Sequence, residues 1–179
     1  PPSEEQDEGE HEEQDEQPAD EPSVQEQEAE APAGGEANKL AYSVEASSHH
    51  PKYPPSNVAD ADLSTVWQEN KGEWSVGQRL HFELDSPKTV VKLGIVVGSV
   101  FVHEKKGDMF EQNNRVKSVE LTLGDGTTVD ASFEDAREMQ WVQIPEHEPV
   151  DEITLKITDV YRGSDYNDDA IAEIQIWGY

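Results

Sequence analysis

The sequence predicts an all-β fold, an antiparallel β-sandwich over residues 39–179, preceded by a disordered acidic segment over residues 1–38. Three observations predict it. The composition breaks near residue 38. Beyond the break, apolar residues recur with a period of two in about eight short runs, and nowhere does a long amphipathic helical pattern appear.

The break comes first in the chain. Residues 1–38 hold 15 of the 40 Asp and Glu residues, no Lys or Arg and no aromatic residue, and Val24 is their only apolar side chain larger than alanine. Such a segment cannot bury enough apolar surface to offset about 1–2 kcal/mol of backbone entropy per residue, so it is expected to remain disordered. It reads as an acidic linker. Self-repulsion should extend it beyond the roughly 35 Å of a neutral flexible chain of that length.

After Ala33-Gly34-Gly35 the strand signals begin. In Leu40 to Ala46, Tyr42, Val44 and Ala46 share one face, as a half-buried strand requires. Residues 47–70 are rich in Pro, Ser, Asn and Asp and predict an ordered loop with a short helical turn. Leu80, Phe82 and Leu84 alternate with His81 and Glu83, and Val90 to Val97 is apolar enough to be a central strand covered on both faces. Val119, Leu121 and Leu123 lead into Gly124-Asp125-Gly126-Thr127, where Asp-Gly predicts a hairpin with two positive-φ positions before Val129, Ala131 and Phe133 return. Trp141 to Ile144 is a short strand closed by Pro145. Ile153, Leu155 and Ile157 form another, and the last runs through Ile171, Ile174, Ile176 and Trp177.

Charge and composition exclude several function classes. Residues 39–179 carry all 13 bases against 25 acids, a net charge of −12, with no basic cluster beyond Lys105-Lys106, so neither nucleic acid nor anionic lipid is an expected partner. Cysteine is absent, which removes disulfide and thiolate chemistry and suits an exported protein. No apolar run approaches the roughly 20 residues of a membrane span, so direct membrane insertion by this segment is not expected. The chain opens on Pro1-Pro2 without methionine, and an anchor or signal upstream of Pro1 is expected. Enzyme chemistry finds no foothold: there is no Gly-x-Ser-x-Gly elbow and no phosphate loop, and His49-His50 and His103-Glu104 do not extend into zinc patterns.

The run from Tyr53-Pro54-Pro55-Ser56-Asn57 through Asp60-Ala61-Asp62-Leu63-Ser64-Thr65-Val66-Trp67 resembles the "DGdxsTxW" loop of discoidin-like domains, which are galactose-binding-like jelly rolls. Gly72-Glu73-Trp74, Asn113-Asn114-Arg115-Val116-Lys117, and Asp159 to Tyr166 followed by Asp169 to Ile174 narrow it. In that order they resemble the bacterial NADase-type glycan-binding (translocation) domain. The resemblance covers residues 40–179. It implies a non-catalytic, monomeric module at the cell surface or outside the cell that binds a glycan or a surface protein. The alternative is a module that docks a partner enzyme or toxin without sugar affinity. Ala61 departs from the pattern, because the family's loop usually has glycine there.

Three candidate sites follow. The first is a structural calcium site from Asp60, Asp62, Ser64 and Thr65, completed by Glu173, whose position matches the cage-closing glutamate of related carbohydrate-binding modules. The alternative is that Asp60 and Thr65 only cap turns. The second is a ligand surface of Tyr53, Glu69, Arg115, Tyr161, Arg162, Asp165 and Tyr166 on the loops at one end of the sandwich, since sugars need aromatic faces and planar polar groups. Against this, Trp67 and Trp74 suit core plugs, and Arg115 suits pairing with a carboxylate or carbonyls. The third is the acidic run Asp159, Asp165, Asp168 and Asp169, which reads as a solvated loop.

Overall fold

The computed structural model describes residues 36–70 and 76–179. Almost all of the predicted acidic linker, and Gly72, Glu73 and Trp74 with it, lies outside the described residues. In chain order the strands are β1 (Asn38–Lys39), β2 (Tyr42–Ala46), β3 (Trp67–Gln68), β4 (Arg79–Lys88), β5 (Val90–Val97), β6 (Val102–His103), β7 (Gly107–Asp108), β8 (Asn114–Leu123), β9 (Thr128–Ser132), β10 (Gln140–Gln143), β11 (Val150–Tyr161) and β12 (Asp169–Gly178). A 3-10 turn spans Pro55–Ala59, and one short helix, α1, spans Met109–Gln112. Among the described residues eight strands have four or more residues, and these are the eight that the apolar runs predict. The four two-residue strands carry no such period and escape sequence reading.

The long strands form two layers. β2, β4, β11, β8 and β9 pair antiparallel in that spatial order, and β10, β5 and β12 form the second sheet with β1 and β3 added along β12. The layers meet at one corner, where Asp169 and Ala170 pair in parallel with Asn114 and Arg115. That corner is the loop end of the sandwich. Between the sheets lie the alternating residues of each strand: Leu80 and Phe82 of β4, Leu93 and Ile95 of β5, Leu121 of β8, Leu155 and Ile157 of β11, and Ile174 and Ile176 of β12, all fully buried. Burying each such side chain contributes about 1.5–3 kcal/mol. β5 is central, as its near-continuous apolar run predicts. Val96 turns to the opposite face and packs with Val66, Ala170 and Ala172 in a second, smaller cluster.

Two local expectations change. The Asp125-Gly126 hairpin forms, with Thr122 opposite Thr128, but only Gly126 takes a positive φ, of 90°. The Gly126 amide donates to the Leu123 carbonyl at 2.9 Å, and the Asp125 carboxylate accepts from the Thr127 amide, also at 2.9 Å. The turn is therefore a type I turn followed by a left-handed glycine, a three-residue loop in place of the two-residue one expected. Second, ordered strand begins at Asn38, within the predicted linker, because Asn38 and Lys39 pair with Gly178 and Trp177.

Candidate functional site at the loop end of the sandwich

Arg115 is the second residue of β8 and is 8% exposed. Its Nε and Nη2 donate to the two oxygens of Asp135 at 2.8 and 2.6 Å, and its Nη1 donates to the carbonyls of Asn113 and Arg162 at 3.0 and 3.2 Å. A planar guanidinium suits this work, since it ties a carboxylate and two backbone segments in fixed directions. The structure thus gives Arg115 the pairing role weighed for it in the sequence. Its partner Asp135 carries no local sequence pattern and was not foreseen.

The loop from Arg162 to Asp168 is held against α1 and the start of β8 by its backbone. Gly163 donates to Asn114 Oδ1 at 2.9 Å, Ser164 to the Glu111 carbonyl at 3.0 Å, and Asp165 and Tyr166 to the Gln112 carbonyl at 3.2 and 2.9 Å. Asn114 Nδ2 donates to the Asn167 carbonyl at 2.6 Å. Gly163 permits this closeness, because a Cβ there would lie 2.2 Å from the Gln112 carbonyl oxygen. The neighbouring loop joins through Gln68, whose amide donates to the Tyr53 carbonyl at 3.2 Å and whose Nε2 donates to Asp168 Oδ2 at 2.9 Å. Tyr53 and Tyr166 remain 37% and 36% exposed on this support, with Arg162 and Asp165 also exposed beside Tyr166.

The other predicted ligand residues divide. Tyr161 is half-buried and donates its hydroxyl to the Phe133 carbonyl at 3.0 Å, so it faces inward across the sandwich end. Glu69 is buried at 1% exposure, beneath the surface. Trp67 is a core plug, fully buried, with Nε1 donating to the Ser48 carbonyl at 3.1 Å.

Asp169 corrects the reading of the acidic run as a solvated loop. It is wholly buried, because β12 starts there and its side chain points inward at the corner between the sheets. Neither carboxylate oxygen reaches a hydrogen-bond partner of good geometry. Burial first, and the charge of Glu69 second, push its carboxyl well above the usual carboxylate range, with the Ala170 amide and Arg115 pulling weakly the other way. Asp159 is on the surface and pairs with Lys117 at 2.6 Å.

The predicted calcium ligands are brought together in part. Asp60 accepts from the Asp62 amide and from Thr65 Oγ1, both at 2.8 Å, and Asp62 accepts from the Ser64 amide and hydroxyl at 2.9 and 2.6 Å. The Ser64 hydrogen bonds hold the Asp62 carboxyl below its ordinary range. Glu173 reaches this loop from β12, 1% exposed, its Oε2 accepting from the Ala61 amide at 3.2 Å. Its Oε1 accepts from Lys39 Nζ at 3.2 Å. Ca²⁺ needs six to eight oxygens. Here the carboxylates face the loop's own donors, an ammonium already occupies the Glu173 oxygen, and among the described residues no three His, Asp or Glu side chains converge on a metal-sized space. In this arrangement the carboxylate oxygens are engaged by protein donors. Ala61 holds φ at +61°, the only described non-glycine residue in the left-handed region, so the loop keeps the backbone shape that glycine would adopt more easily.

Two antiparallel sheets with a hydrogen-bonded loop end that presents aromatic and polar side chains define a discoidin-type β-sandwich module. Residues 32–177 match the family described as the NAD glycohydrolase translocation F5/8 type C domain, and the chain belongs to that family. Among solved structures, it is similar to the family 32 carbohydrate-binding module of NanJ from C. perfringens, solved in complex with galactose, at 16% identity and a TM-score of 0.58 over 79% of this chain and 98% of that one. It is also similar to the corresponding module of AlyQ in complex with 4,5-unsaturated mannuronic acid, at 19% identity and a TM-score of 0.55 over 78% and 97%. A further match is the arabinofuranosyltransferase AftD from Mycobacteria, at 18% identity and a TM-score of 0.60 over 80% of this chain and 11% of that one. No curated protein matches by sequence.

Proposed function

We propose that the chain is a non-catalytic glycan-recognition module that works at a bacterial cell surface or outside the cell, carried on its acidic N-terminal segment as a tether. The observation that carries this reading is the pair of exposed tyrosines, Tyr53 and Tyr166, on loops locked to one another through Gln68, Asp168 and Asn114. Loops fixed before binding lose little entropy on contact with a sugar, which suits a site of modest area. Arg162 and Asp165 supply hydrogen-bonding groups beside Tyr166. The solved modules complexed with galactose and with an unsaturated mannuronic acid support the ligand class. No described helix is long and apolar enough to cross a membrane.

In this reading the Asp60–Thr65 loop is closed by Lys39, whose ammonium supplies on Glu173 the positive charge that calcium was expected to supply, and the module works as a monomer without a metal. A second reading, docking of a partner enzyme, is favoured by the family description, which couples this domain to an NAD glycohydrolase and to translocation. A glycan array separates the two. Glycan binding lost in Tyr166→Ala supports recognition of sugar, whereas an empty array together with retention of an NAD glycohydrolase supports docking.

A further inference from the structure

A second surface lies on the other side of the β10-β5-β12 sheet, turned away from the main core. Directly paired residues of antiparallel strands point to the same face, so register places Gln143, Lys92 and Trp177 in one row across the three strands and Trp141, Gly94 and Gln175 in the next. Gly94 leaves a gap in that lattice, and Trp141 and Met139 lean over it: a Cβ at position 94 would lie 2.7 Å from both Trp141 Cζ3 and Met139 Sδ. Trp141 is nonetheless 41% exposed. Lys92 Nζ stands 4.4 Å from the Trp141 ring centre and 5.0 Å from that of Trp177, and the two rings meet edge to face at 6.3 Å. Trp177 Nε1 donates to Gln175 Oε1 at 3.2 Å and Gln175 Nε2 to Glu173 Oε1 at 3.5 Å, which fixes the amide.

The charge on this patch runs against the rest of the molecule. Its one carboxylate, Glu173 in the following row, is buried and answered by Lys39. Lys92 has no carboxylate within ion-pair distance among the described residues and is steadied by indoles alone. Covering Gly94, which Met139 shares with the indole, needs no ammonium. An apolar partner would strand the ammonium, a neutral sugar would leave its charge unused, and a bare carboxylate would leave the exposed indole uncovered.

We propose that this face is a separate binding site for carboxylated saccharides, in which a pyranose lies against Trp141, its carboxylate pairs with Lys92, and the exposed Gln143 amide takes a hydroxyl. The site shares no residue with the loop end.

The test titrates the full chain with tetragalacturonate and sialyllactose, following indole fluorescence, and with the methyl ester of the first and lactose as neutral counterparts. Binding of at least one acidic probe is expected, weakened tenfold or more in its neutral counterpart and in Lys92→Gln, lost in Trp141→Ala, and unchanged in Tyr166→Ala. Lys92→Gln should keep the wild-type melting temperature, which separates lost recognition from lost folding. Binding of neither acid, equal binding of the neutral counterparts, equal binding of tetraglutamate, or a loss confined to Tyr166→Ala would each overturn the proposal. Failure here leaves loop-end recognition standing, because that reading is scored on Tyr166→Ala.

Discussion

At the scale of single residues, the loop end rests on a few side chains whose removal has predictable signs. Replacing Arg115 by alanine breaks its pair with Asp135 and leaves the Asn113 and Arg162 carbonyls short of a donor. A fully buried pair broken this way costs about 3–5 kcal/mol; Asp135 is partly exposed, and a loss of roughly 2–4 kcal/mol is expected from the urea midpoint. Ala61→Gly should move the other way, by about 1 kcal/mol, since glycine relieves the left-handed strain. A lower melting temperature for that variant would refute the strain. Asp169 sets a pH dependence. Its folded carboxyl titrates above its unfolded one, so the folded state holds the extra proton, and its contribution to stability is present at low pH and lost as pH rises from about 4 through the raised value. Asp169→Asn should therefore raise the melting temperature at neutral pH and flatten its slope between pH 4 and 7; an unchanged slope would contradict the assignment.

At the scale of elements, the strands were legible wherever one face is buried. The alternation of Leu80, Phe82 and Leu84, or of Ile153, Leu155 and Ile157, records burial directly, because each second residue must leave water. The loop end was legible only as a set of residue types. Sequence patterning does not record which loop touches which, so Arg115 appeared as a ligand candidate while Asp135, 20 residues away, stayed unseen. Asp169 looked like its solvated neighbours, and only the parallel pairing at the sheet corner buries it. The residues of the calcium expectation, Asp60, Asp62, Thr65 and Glu173, do meet at one hydrogen-bonded loop. Lys39, which pairs with Glu173 there, gives no sequence signal, because it lies at the edge of a segment without other bases. Two predictions belong here. Millimolar calcium should leave the melting temperature unchanged, and a rise of several degrees would restore the metal. Gly163→Ala should destabilise by on the order of 2 kcal/mol and remove hydrogen-exchange protection at Ser164 and Tyr166, since its Cβ would meet the Gln112 carbonyl.

At the scale of the whole molecule, an acidic chain with a net charge of −27 carries a sandwich whose two sheets meet at the corner that also anchors the loops. Fold stability and the shape of the recognition surface therefore depend on the same contacts. A rigid scaffold that positions exposed tyrosines is what a binding module needs. The central claim is that the loop end recognises a glycan through Tyr53 and Tyr166. A glycan array probed in parallel with the wild-type chain, Tyr53→Ala and Tyr166→Ala, each checked for an unchanged melting temperature, tests it most directly. The account predicts a defined set of bound glycans that both variants lose. Wild-type binding to none, or binding that survives both substitutions, would contradict it.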